Sequence, residues 1–133
     1  MRPGTVLTPQ PEESYVLGSS MNEIERESHD ELEQMFEDYR PDHCVSRFNA
    51  VFMVDNPNDI DYAGGYTDHV YIVEPQGPVI RCNLAWYSKA DMEADTFPEW
   101  KRCAHGYWNG LPCDTVSDLY EYLAASAVIV KEE

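Results

Sequence analysis

Thiol and imidazole groups occur close together at two places, Cys103-x-His105 with Cys113 beyond it, and the adjacent pair His43-Cys44. Either set contains ligand types that bind zinc, but a structural zinc site needs paired ligands at short fixed spacing, and neither place has a second pair. No metal is expected. For nucleophilic catalysis His43 would have to act as base for Cys44, yet neighbouring side chains on an extended segment point apart. The sequence also lacks a phosphate-cradling P-loop, a GxGxxG turn, an HExxH helix and a GxSxG elbow. What remains is a pattern along the chain rather than one motif.

Charge is the dominant global property. The 133 residues carry 25 acidic and 9 basic side chains, for a net charge of −16. Such a chain repels phosphate backbones and gains no counterion release, so direct nucleic-acid binding is not expected. The acidity serves solubility, or else meets a basic protein partner in the way nucleic acid would. There is no apolar run near the roughly 18 residues of a membrane span and no basic-then-apolar leader, so the expectation is a cytoplasmic protein without membrane contact. The four cysteines, Cys44, Cys82, Cys103 and Cys113, have no CxxC pairing and are read as reduced thiols.

The elements that position these groups read as one α+β domain spanning residues 1–133. Residues 1–18 are extended, with Thr5-Val6-Leu7 a short edge strand and Tyr15-Val16-Leu17 another extended piece. Ser20-Met21-Asn22-Glu23 is a capping box, and Met21, Ile24, Leu32, Met35, Phe36 and Tyr39 follow at helical spacing, predicting an amphipathic helix over 20–39. Its other face is assigned Glu23, Glu25, Glu27, Asp30, Glu31, Glu33, Glu37 and Asp38. Through that Met21 to Tyr39 face a basic partner would bind.

Central strands are predicted over 45–87. The run from Ser46 to Val54 looks buried on both sides, a short connection with a helical turn near Asn58 to Ala63 follows, and His69 to Pro75 forms the second run. This is a strand, crossover, strand unit. Gln76-Gly77-Pro78 reads as a turn, Val79 to Tyr87 as another strand, and Ser88 to Asp95 as a polar connection. Thr96-Phe97-Pro98-Glu99 opens a second helix over 96–105, with Gly106 as its stop and Tyr107-Trp108-Asn109-Gly110 as a turn. A C-terminal strand covers 121–130, interrupted near Ala124-Ala125-Ser126.

Several of these segments, in this order, resemble a known family. Val70-Tyr71-Ile72-Val73-Glu74-Pro75-Gln76-Gly77-Pro78 is similar to a strand and turn of rifampin ADP-ribosyltransferases. Arg40-Pro41 with Ser46-Arg47-Phe48-Asn49-Ala50-Val51-Phe52 resembles a segment of small bacterial and phage proteins with the ADP-ribosyltransferase-like fold. Gly4-Thr5-Val6-Leu7-Thr8-Pro9 is similar to the turn after that superfamily's first strand, and Tyr107 to Gly110 with Glu121-Tyr122-Leu123 and Ala127 to Val130 is similar to its closing region.

The resemblance implies a split pair of mixed or antiparallel sheets with two or three helices, and NAD bound between the sheets as the donor of ADP-ribose to a protein or small-molecule acceptor. It assigns Ser46 to the nicotinamide-ribose site and Glu121 to the ribose 2′-hydroxyl and the acceptor, making these two the candidate catalytic residues. A fixed carboxylate would stabilise the oxocarbenium character that develops as nicotinamide leaves. Phe52, Tyr62 and Tyr66 are the nearest aromatic candidates to stack on the departing ring and, with Ser46, the candidate NAD-binding residues. The family places an Arg or His on a strand before the Gly-apolar-Pro turn, where this sequence has Met1-Arg2-Pro3. A shortened relative that has lost catalysis, an acidic inhibitor or nucleic-acid mimic of phage or mobile-element type, is the alternative expectation.

Overall fold

The computed structural model describes residues 2–9, 23–59, 70–93 and 97–132. Its longest pairing is between two 13-residue strands, β3 (Tyr71–Asn83) and β4 (Tyr120–Glu132), antiparallel along their whole length. The other edge of β4 is shared end to end by β1 (Val6–Leu7) and β2 (Val51–Met53). Val128 pairs with Glu74 on one side and Val6 on the other, and Leu123 with Ile80 and Phe52. Because β2 and β3 both run against β4, they are parallel to each other with β4 between them, as the strand, crossover, strand reading requires. The α+β class holds. All described strands belong to one four-stranded sheet, with antiparallel pairings only, in place of the two small sheets that the resemblance implies.

Three helices are described: α1 (Glu23–Asp38), α2 (Leu84–Glu93) and α3 (Phe97–Trp108). Alternation along β4 defines the face they cover, with Glu121, Leu123, Ala127 and Ile129 buried and Tyr122 and Val128 only half-buried. Leu32 and Phe36 from α1, Trp86 and Tyr87 from α2, Cys103 and Tyr107 from α3, and Cys82 and Leu123 from the sheet make up the core. Trp108 Nε1 donates to the Phe36 carbonyl at 2.8 Å, fastening the end of α3 to α1.

Several boundaries differ from the sequence reading, each for a local reason. The strand expected to run to Tyr87 ends at Asn83, whose Oδ1 accepts from the Ala85 N–H at 3.0 Å and so caps α2. The doubly buried strand expected from Ser46 is first a 3-10 turn, Arg47–Asn49, because the Ser46 hydroxyl accepts from the Phe48 N–H; only the short, half-buried β2 follows. Gln76-Gly77-Pro78 is a bulge inside β3 rather than a turn between strands, with Gly77 at φ 76° taking up the register shift. β4 continues through Ala124 to Ser126, and Ser126 Oγ donates to Gln76 Oε1 at 2.8 Å.

The expected stop at Gly106 lies inside α3, which continues through Tyr107 and Trp108. Gly110, at φ 61°, is where the helix ends: its N–H donates to the Tyr107 carbonyl at 3.1 Å and Leu111 N–H reaches back to Gly106 at 3.0 Å. Gly106 serves packing instead. A Cβ there would lie 2.3 Å from the Trp86 ring, so glycine lets α2 and α3 approach. The predicted extended piece Tyr15 to Leu17, the cap at Ser20 and the helical turn past Asp59 lie outside the described residues.

Gly106→Ala should lower stability by about 1–3 kcal/mol through overpacking against Trp86, read as a lower midpoint in urea, with little change in helix content by circular dichroism.

Candidate functional site

Where the covering helices meet the sheet, the core contains a closed polar cluster. Arg47 enters it from the 3-10 turn, Glu33 from α1, Glu121 from β4, Tyr107 from the last turn of α3 and Tyr87 from α2. Arg47 donates from Nε and Nη2 to the two oxygens of Glu33 at 2.9 and 3.0 Å, a bidentate pair. Its Nη1 donates to Glu121 Oε1 and to the Tyr107 hydroxyl, both at 2.5 Å, and Tyr107 donates to the same Glu121 oxygen at 2.5 Å. Tyr87 donates to Glu33 Oε1 at 2.9 Å. Four elements and one turn thus converge on one guanidinium.

The walls are aromatic. The Arg47 guanidinium lies 4.9 Å from the Tyr87 ring centroid, 5.2 Å from Phe52 and 5.3 Å from Tyr107. Phe36 stacks on Tyr87 at 4.9 Å and meets Tyr107 edge-on at 5.2 Å. Burial raises Glu121 above the ordinary glutamate range even though Arg47 opposes it, and burial likewise raises Tyr107. For Arg47 burial disfavours the charge, but Tyr107, Glu33 and Glu121 outweigh it and hold the guanidinium protonated. Across the ladder from Glu121, the Cys82 thiol is pushed far up, chiefly by burial.

The residues assigned from the resemblance are divided by this geometry. Glu121 is 1% exposed, and its Oε1 is engaged by both Arg47 and Tyr107. Phe52 lies against the Arg47 guanidinium, as one wall of the cluster. Ser46 precedes Arg47 in the chain, but its hydroxyl donates to Glu37 Oε2 at 2.8 Å. Glu37 in turn accepts from Arg40, which donates to the Cys44 carbonyl, so Ser46 belongs to a clamp across residues 37–46. Tyr62 and Tyr66 lie outside the described residues.

Arg47, Glu33, Tyr107 and Tyr87 are the members that sequence reasoning missed. Glu33 was assigned to the solvated face of α1 and is instead 1% exposed, in the core. Its place beside Leu32 and three residues before Phe36 is equally that of a residue at the edge of the polar face, so no signal in the sequence marks it. Arg47 is the one cation between Val45 and Val54.

The thiol and imidazole sets do not converge. Cys103 is buried and His105 exposed on α3. Burial raises Cys103 to about 11, leaving it an unreactive thiol near neutral pH. Among the described residues no group of three His, Cys, Asp or Glu side chains is placed to hold a metal ion, and no helix is long and apolar enough to cross a membrane.

A second polar cluster ties the loop after α3 to the helices. Lys89 donates to Asp114 and Thr115 at 2.9 Å each, and Arg102 also donates to Asp114. The bonds from Lys89 and Arg102 hold Asp114 well below the usual carboxylate range.

The chain matches no protein-family model, no curated protein and no solved structure.

Arg47→Met should cost about 3–5 kcal/mol, because it takes the shared cation and donor away from two buried acidic side chains, Glu33 and Glu121. Adding Glu33→Leu and Glu121→Leu to the same chain should recover much of that loss in urea unfolding.

Proposed function

We propose that this protein is a non-catalytic, strongly acidic binding protein that engages a basic protein partner, with α1 as part of the contact. The observation that carries this reading is where the charge sits. Among the described residues Glu33 and Glu121 are the buried acidic side chains, offset by the buried Arg47 and Lys89, and every other described Asp or Glu is at least partly exposed. Asp30, Glu31 and Asp38 are exposed on α1. A surface of this kind raises the association rate with a cationic partner and selects against anionic ones. It suits a protein that competes with nucleic acid for a basic site.

A second reading is NAD-dependent ADP-ribose transfer with Ser46 and Glu121 in the roles that the resemblance gives them. It is favoured by one observation, that Phe52 and Glu121 meet at Arg47, next to Ser46 in the chain. Against it stand the buried Glu121 carboxylate and the Ser46 hydroxyl bonded to Glu37.

The test is capture of partners by the immobilised protein at about 0.1 M and about 1 M salt, between which the screening length falls from about 10 Å to about 3 Å. Basic proteins should be retained only at the lower salt. Affinity for a purified captured partner should drop about tenfold or more when Asp30, Glu31 and Asp38 are all changed to Lys, since each exposed pair contributes up to about 1 kcal/mol. Label transferred from NAD to an acceptor, and lost in Glu121→Gln, would instead establish the enzyme reading.

A further inference from the structure

The Arg47 cluster contains two carboxylates and one guanidinium in a compartment sealed from water. Glu33 and Glu121 are each 1% exposed, Arg47 5% and Tyr107 0%. The groups around Glu121 come from every packed element. Among the described residues they are Arg47 from the 3-10 turn, Tyr107 from α3, Cys82 from β3, Glu33 from α1 beyond the guanidinium, and Tyr87 from α2 beyond Glu33; Cys44 lies near Cys82, and β2 contributes the Phe52 ring. Among the described residues shown to meet this group, Arg47 is the cation. If both carboxylates were ionised, the compartment would hold an uncompensated negative charge, which a dry core strongly disfavours.

The hydrogen bonds distinguish the two carboxylates. Among the described residues Glu33 accepts three bonds spread over both its oxygens, from Arg47 Nε, Arg47 Nη2 and the Tyr87 hydroxyl. Glu121 accepts two from described residues, and both fall on Oε1. Of the two, Glu121 has the fewer donors among the described residues and is the one on which a proton relieves the imbalance.

We propose that Glu121 is held as a neutral carboxylic acid at neutral pH, and that this one stored proton makes the cluster a pH-sensitive lock joining α1 to β4. The direction follows from linkage. Burial raises Glu121 in the folded chain above its ordinary 4.5, so its contribution to stability is fully present below 4.5 and is lost as pH rises through the folded value. Mild acid tightens the lock and alkali loosens it, opposite to a salt-bridged carboxylate of ordinary depressed pKa. This inference does not depend on the binding function proposed above.

The experiment is carbon-13 NMR of the full chain labelled at the glutamate side-chain carboxyls, titrated from about pH 4 to about pH 9 around the ordinary glutamate range. One carboxyl signal should retain the protonated chemical shift at about pH 7, and it should be absent in Glu121→Gln. Amide exchange of α1, corrected for intrinsic base catalysis, should accelerate with rising pH in the wild type and much less in Glu121→Gln. If every glutamate carboxyl of the wild type has titrated by about pH 6, the proposal is overturned, whether or not the variant folds.

Discussion

A guanidinium removed from water has to find acceptors for its N–H groups and a negative charge for its own, and Arg47 meets both demands from three directions. Glu33 fixes the rotation of α1, since a turn of one residue would carry its carboxylate off the buried stripe shared by Leu32 and Phe36. Glu121 fixes the register of β4, because a one-residue slip would place Tyr122 under the helices and Glu121 in solvent. Tyr107 fixes the end of α3. The sheet and its covering layer are thus held in a single relative arrangement by one side chain.

The connection from β3 to β4 is built so that those contacts can form. Asn83 ends β3 and starts α2 with one side-chain oxygen, which also accepts from Leu119 at 3.1 Å, while its amide donates to Leu111 and Asp118 at 2.8 Å each. One buried amide therefore joins both ends of the connection. Gly106 brings α3 against Trp86, and Trp86 Nε1 donates to the Leu111 carbonyl at 2.9 Å. Lys89, 6% exposed, holds the following loop through Asp114 and Thr115.

The placement of the acidic groups separates two roles that a carboxylate can have. Inside, Glu33 and Glu121 are structural, held by Arg47 and tyrosine hydroxyls. Outside, Asp30, Glu31 and Asp38 of α1 face water and contribute to the long-range field of the surface. A residue that would have to meet a nucleotide is in the first group, which is why the binding reading is preferred to the catalytic one. The exposed Val6, Val79 and Val130 add scattered apolar surface without changing that balance.

Residue order was enough to determine the α+β class, the acidic character, α1 from its apolar spacing, the extended nature of β3 and β4, and the edge strand at Val6–Leu7. These are local signals, written in period and composition. Where helices begin and end near Asn83 and Gly106 was harder, because one asparagine or glycine serves equally as cap, stop or close-packing residue until its neighbours are known. The cluster itself was not legible. Glu33 and Glu121 are 88 positions apart in the numbering, Arg47 and Tyr107 lie between them on other elements, and nothing in a linear chain marks one glutamate among many as the buried one. Only the tertiary structure decided that, because burial and pairing are properties of the packed core and not of the residue.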